Sequence, residues 1–189
     1  MNYTETEWIC VKVKQIKRRF DNERDPFALC RDLGIALNPV NFGERATSPK
    51  AMIVQLRGVK CISYNINLPP EILRPVLFHE IGHGVLHKIG AEGLTDFAVS
   101  DDRHRKELQA NLFCAEYMLE DREVIETLQE TGTLFRAAQA LCVPPEIVEY
   151  KLRILREKGY GFAGSPFYTC ADFWKTVGAN ETSYSSHAL

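Results

Sequence analysis

Apolar residues recur along the chain with two periods, and the switches between them mark out its elements. Between residues 5 and 20, Trp8/Ile9, Val13, Ile16 and Phe20 fall at three- and four-residue steps among lysines and arginines, the spacing of an amphipathic helix. Asp25-Pro26 reads as an N-cap followed by proline at the first helical position, opening a short helix from Phe27 to Leu33 that Gly34 closes. Ile35-Ala36-Leu37 follows as a short extended piece, and residues 38–50, polar and with two prolines, as a loop. Ala51 to Leu56 and Val59 to Asn65 have the branched and aromatic content of strands, and Arg57-Gly58 between them predicts a β-hairpin.

The turn Leu68-Pro69-Pro70 leads into a run expected to be helical from about Glu71 to His87, with Pro75 either kinking it or marking its first turn. Residues 93–102 are polar and poorly periodic and predict a loop near whatever cleft the helix lines. From Lys106 to Leu119 a second long helix is expected, with Leu108, Leu112, Ala115 and Leu119 on one stripe. Residues 121–128 extend or follow it, and Thr131-Gly132 breaks the pattern. Thr133 caps a helix to Leu141, and Val143-Pro144-Pro145 turns the chain into a last helix, 146–158. In the tail, Phe167-Tyr168 and Phe173-Trp174 are expected to dock, and the end from Asn180 to be flexible.

The first long helix carries the chain's most specific chemistry, His79-Glu80-Ile81-Gly82-His83. Residues four apart on a helix share one face, so His79 and His83 can offer imidazole nitrogens to one zinc ion. Glu80, beside the first of them, can take a proton from a metal-activated water. Val76, Leu77, Phe78, Ile81, Val85 and Leu86 supply a buried side, and Gly82 and Gly84 exchange helix propensity for close packing. His87 continues the stripe but lies two turns from His79, too far to share the ion. It is expected behind the ligands, at the substrate, or as a packed or capping histidine.

Catalytic zinc takes three protein ligands and keeps a position for water, so a third ligand must come from downstream. Glu92, Asp96, Asp101, Asp102, His104 and Glu107 are the candidates. Glu107 is preferred, because a ligand on a packed helix is placed more accurately than one in a loop, and Asn111 follows it one turn later. His104 is the rival. Asn111 could hydrogen-bond a metal-ligating side chain, and Tyr64, His104 and Tyr117 are candidates to steady an oxyanion.

Composition narrows the field further. At 189 residues the chain can build one sizeable core, and its formal charge of -2 gives no bulk attraction to nucleic acid or acidic membranes. Its 6 cysteines are widely spaced with no Cys-x-x-Cys pair, so they read as reduced thiols. No stretch approaches a membrane span, and residues 1–20 lack the apolar region of a signal peptide, so a cytoplasmic location is expected.

The motif from Phe78 to His87, with Glu107-Leu108-Gln109-Ala110-Asn111-Leu112-Phe113-Cys114-Ala115-Glu116 on the next helix, resembles the ImmA/IrrE family of zinc metallopeptidases. The resemblance spans roughly residues 25–158. It implies a mostly helical α+β, zincin-like fold with a small antiparallel sheet and a C-terminal helical pair. It also implies one zinc ion on His79, His83 and Glu107, with Glu80 as catalytic base. Where the family often has Leu-Leu-Met-Pro, this chain has Tyr117-Met118-Leu119-Glu120, so the helix is expected to run on into Asp121-Arg122. Gln109 stands where the family often has an acid and is expected to be neutral for chemistry. The segments expected are an N-terminal helical segment (1–24), a catalytic core (25–130), a helical pair packed on it (131–162), and a docked, then flexible tail (163–189).

A zinc endopeptidase cutting a regulatory protein, in the compact mobile-element-associated members a helix-turn-helix repressor, is the function this implies. The strand Cys61 to Ile66 is expected to line the cleft as an edge that pairs with the substrate chain. Two other classes are set against it: a DNA-binding regulator keeping a metal site, and a non-catalytic repressor-binding adaptor. Residues 134–156 have the outline of a helix-turn-helix, but Glu146 and Glu149 sit where a recognition helix would meet phosphate, which argues against direct nucleic-acid binding. Glu80 argues against both alternatives, since structural zinc needs no base.

Overall fold

A computed structural model describes residues 4–90 and 100–161, with side chains from Asp102 onward in the second segment. Helices α1 (Glu5–Arg19) and α2 (Pro26–Asp32) precede strands β1 (Ala36–Val40), β2 (Ala51–Leu56) and β3 (Val59–Asn65). Then come α3 (Pro70–Leu86), α4 (Ser100–Met118), α5 (Asp121–Thr131), α6 (Leu134–Ala140) and α7 (Pro145–Glu157). The expected α+β architecture is present: mostly helix, with a small sheet. Most of the predicted 93–102 loop and the whole tail from residue 163 lie outside the described residues.

The sheet is mixed rather than purely antiparallel. Arg57 and Gly58 both take positive φ, 51° and 85°, which closes β2 onto β3 through a tight two-residue turn. That leaves the far edge of β3 open, and the extended piece at Ala36 pairs there in parallel, Ala36 opposite Cys61 and Val40 opposite Asn65. The order is therefore β1-β3-β2, with β3 in the centre. Loop 41–50 arches over the end of β3 and is clasped by buried Asn65, whose amide donates to the Gly43 carbonyl at 2.8 Å.

Helix α3 is buried on all sides from Pro75 to Gly84, between the sheet and α4. It starts at Pro70, so Pro75 lies within it. The two motif glycines have separate reasons. A Cβ on Gly82 would stand 3.0 Å from Phe113 Cδ1, and one on Gly84 would stand 2.9 Å from Ile53 Cδ1. Gly82 therefore lets α3 approach α4, and Gly84 lets it approach the sheet. On the other side of α4, α1 inserts Ile9, Val13 and Ile16 into the core.

Helix α4 does not run on into Asp121-Arg122. It stops at Met118, Glu120 is extended at φ -81° and ψ 143°, and α5 starts afresh at Asp121. Charge placement accounts for the break. Glu120 turns outward to Lys17 Nζ at 2.6 Å, while Asp121, an acid favoured in a first helical turn, reaches Lys151 Nζ at 2.6 Å. Lys151 is fully buried on α7, paired also with Glu116 of α4, and Lys158 binds the same two carboxylates. This quartet ties the C-terminal helices to the end of α4.

Gly82→Ala should destabilise the protein by about 1–3 kcal/mol, as overpacking does. Phe113 is buried and stacked on Tyr117 at 5.7 Å between centroids, so it cannot give way cheaply. Urea unfolding of the variant measures the loss, and an unchanged midpoint would contradict this account of the α3–α4 contact.

Candidate metal centre

Two helices converge on one point. From α3, His79 and His83 stand one turn apart, 0% and 2% exposed, with their Nε2 atoms 3.0 Å apart. From α4, Glu107 places Oε2 at 3.3 Å from His79 Nε2 and Oε1 at 3.6 Å from His83 Nε2. Ligand atoms of the three lie within 4.8 Å of one another. Of the other third-ligand candidates, Asp102 and His104 are exposed on the first turns of α4, Asp102 paired with Lys106 at 2.9 Å. Glu92, Asp96 and the side chain of Asp101 lie outside the described residues.

Each histidine is held from behind. His79 Nδ1 meets Asn111 Oδ1 at 2.8 Å, and Asn111 Nδ2 donates to the Tyr150 hydroxyl of α7 at 3.0 Å. His83 Nδ1 meets His87 Nδ1 at 3.1 Å, and His87 Nε2 meets Gln109 Oε1 at 2.8 Å. Gln109 Nε2 then donates to Glu5 Oε1 of α1 at 2.6 Å, where Arg105 also donates at 2.6 Å. With its Nδ1–H given to the Asn111 carbonyl, His79 turns a lone pair toward Glu107. The centre thus gathers imidazole lone pairs and a carboxylate, a donor set that a cation satisfies and that suits zinc.

Burial sets the protonation. It pushes the Glu80 carboxyl up to about 7, with Glu107 adding to the rise while His79 and the Ile53 backbone N–H pull against it. Burial likewise pushes His83 down to about 4 and lowers His87, so both imidazoles favour the neutral form.

The remaining sequence candidates lie elsewhere or behind the centre. Tyr117 is turned away: it stacks on Phe78 at 5.0 Å and donates its hydroxyl to the Glu23 carbonyl at 2.9 Å. Its stripe position on α4 gave no sign of which neighbour it meets. Tyr64 packs edge-on against Phe27 at 5.8 Å. The strand Cys61 to Ile66, expected to be an edge, is central and paired on both sides. The edge beside Glu80 is instead β2, through Ile53. Gln109, expected to be neutral, lies in the chain of bonds behind His83. Tyr150 and Glu5, which end the two chains of bonds behind the histidines, belong to no motif in the sequence. The first looks like a core stripe residue, and the second like an acid that favours a helix N-terminus, and neither spacing names its distant partner.

A His-Glu-x-x-His helix whose histidines meet a carboxylate from the next helix defines the metallopeptidase class of site. The chain belongs to the IrrE N-terminal-like domain family, peptidase family M78, whose sequence pattern matches residues 30–153. It is a peptidase domain of the ImmA/IrrE type. A search of curated proteins found no match.

The raised Glu80 pKa carries a stability cost in the metal-free protein. With a folded value of about 7 against an ordinary 4.5, the group favours the folded state at low pH, and that contribution is lost as pH rises through 7. Glu80→Gln should therefore be a few kcal/mol more stable than wild type at pH 8. The gain should shrink as pH falls through 7 and vanish near 4.5. Urea unfolding with chelator present, across that range, reads the difference; a gain independent of pH would contradict it.

Proposed function

We propose that this protein is a zinc-dependent endopeptidase that cuts a regulatory protein, a helix-turn-helix repressor being the substrate class in view. The convergence of His79, His83 and Glu107 within 4.8 Å, with Glu80 buried next to His79, carries the reading. A zinc ion held by those three side chains would supply Lewis acidity, lowering the pKa of a water from 15.7 toward about 7 and polarising a peptide carbonyl.

The protein's own groups do the rest. Glu80 accepts a proton from the attacking water as its oxygen bonds to the carbonyl carbon, and delivers it to the amine as the C–N bond breaks. Glu80, raised to about 7 by burial, would be kept as a carboxylate by a cation held on those three side chains, and so stay a base at neutral pH. Asn111 holds the ring of His79. Tyr64 and His104 stay as candidates for the oxyanion, whereas the Tyr117 hydroxyl is committed to Glu23. Central β3 is closed to an extended substrate chain, and β2, the outer strand beside Glu80, already gives its Gln55 N–H to the Gly90 carbonyl at 3.0 Å.

The DNA-binding alternative loses ground to burial. The α7 side chains Ile147, Val148, Lys151, Leu152, Ile154 and Leu155 are buried, so one face of that helix supports α4. Its first turn holds Glu146, itself buried, and no cation. No helix among the described residues is long and apolar enough to cross a membrane.

Zinc-loaded wild type, Glu80→Gln and Glu107→Gln, incubated with a candidate repressor and read by mass spectrometry, separate the classes. Wild type should cleave, and Glu80→Gln should bind zinc but cleave at least about 100-fold more slowly. Glu107→Gln should lose zinc affinity. Repressor bound but uncut by every form would favour the adaptor, and DNA retention without any product the DNA-binding regulator.

A further inference from the structure

We propose that Glu5, on the N-terminal helix outside the matched family domain, is a positioning residue for the metal centre. Its carboxylate sets the direction of the hydrogen bonds through Gln109 and His87, and so turns the Nε2 lone pair of His83 toward the ion. The inference rests on the zinc-peptidase reading and adds to it a control point that the family match, residues 30–153, does not include.

The direction follows from what each group can do. A carboxylate only accepts, so Gln109 must give Glu5 its NH₂ group, and the 2.6 Å bond fixes the amide that way round. The Gln109 carbonyl then faces His87 Nε2 at 2.8 Å, which requires the proton to be on that nitrogen. A neutral imidazole with Nε2–H has its lone pair on Nδ1. At 3.1 Å, His87 Nδ1 therefore accepts from His83 Nδ1–H, leaving His83 Nε2 unprotonated, 3.6 Å from Glu107 Oε1. Reversing the amide would reverse every bond and place a proton where the ion must sit.

Glu5 is suited to anchor such a chain. Burial raises its carboxyl, but the bonds from Arg105 and Gln109 outweigh that and keep it below its ordinary range. The capping box at Thr4 and Glu7 fixes the start of α1, and buried Ile9 and Val13 seat the helix on the core. Behind His79 the geometry differs. That chain ends on the Tyr150 hydroxyl, which can donate or accept and so imposes no direction. Among the described residues, the chain behind His83 is the one that ends on a carboxylate.

The test uses the full chain and zinc alone. Chelator competition reads zinc affinity, and two-bond ¹H–¹⁵N correlation reads the His87 tautomer. Wild type should hold His87 as Nε2–H. Glu5→Ala should give a mixture of tautomers and roughly tenfold weaker zinc binding, the low end of what losing an outer partner of a ligand costs. Glu5→Gln, whose amide keeps an acceptor beside Arg105 but can also turn its NH₂ toward Gln109, should restore both only in part. Gln109→Leu cuts the chain while leaving the residues of α1 and the Arg105 bond to Glu5 in place, and should match Glu5→Ala, which separates lost direction from a disturbed helix. An Nδ1–H form of His87 in wild type overturns the proposal, as does either readout unmoved in both Glu5→Ala and Gln109→Leu. A wild-type chain that takes up no zinc overturns the metal reading beneath it, whereas equal zinc affinity in all four proteins overturns the role of Glu5 alone.

Discussion

Two imidazole nitrogens and a carboxylate, held within 4.8 Å in a buried setting, repel one another unless a positive charge sits among them. The rest of the structure depends on holding that arrangement together. Gathering acceptors this closely costs folding free energy, and the binding of a cation returns it. The same burial raises Glu80 and lowers His83, so the features that make the site reactive also make the metal-free protein less stable.

The fold answers the constraint by removing freedom on every side. Helix α3 is enclosed from Pro75 to Gly84, and glycines at two points let it lie against α4 and the sheet. On α4, Glu107 and Asn111 stand one turn apart, so one helix supplies both the carboxylate of the cluster and the group that holds the His79 ring. Elements at the two ends of the described chain, α1 and α7, reach the centre through Glu5 and Tyr150. Neither touches the ion's position, yet both bear on the orientation of the rings that do.

Much of this was legible because the chemistry is local in sequence. His79, Glu80 and His83 lie within one helical turn and a half, and the Arg57-Gly58 hairpin lies in two adjacent residues. Glu107 needed a second motif on another helix, and its companion Asn111 came with it. What could not be read was long-range pairing. That β3 is central depends on Ala36 finding the edge that the hairpin leaves open. That α4 ends before Asp121 depends on Lys17, Lys151 and Lys158, which lie far away in the chain. Glu5 and Gln109 are 104 residues apart, and no periodicity couples them. Tyr117 fits the buried stripe equally well whether it faces the cleft or Glu23.

X-ray absorption at the zinc edge of the loaded protein tests the central claim most directly. One zinc per chain, with a shell of nitrogen and oxygen only and the multiple-scattering signature of two imidazoles, is the result expected from His79, His83 and Glu107. A shell containing sulfur at about 2.3 Å, or a protein that retains no zinc, would contradict it.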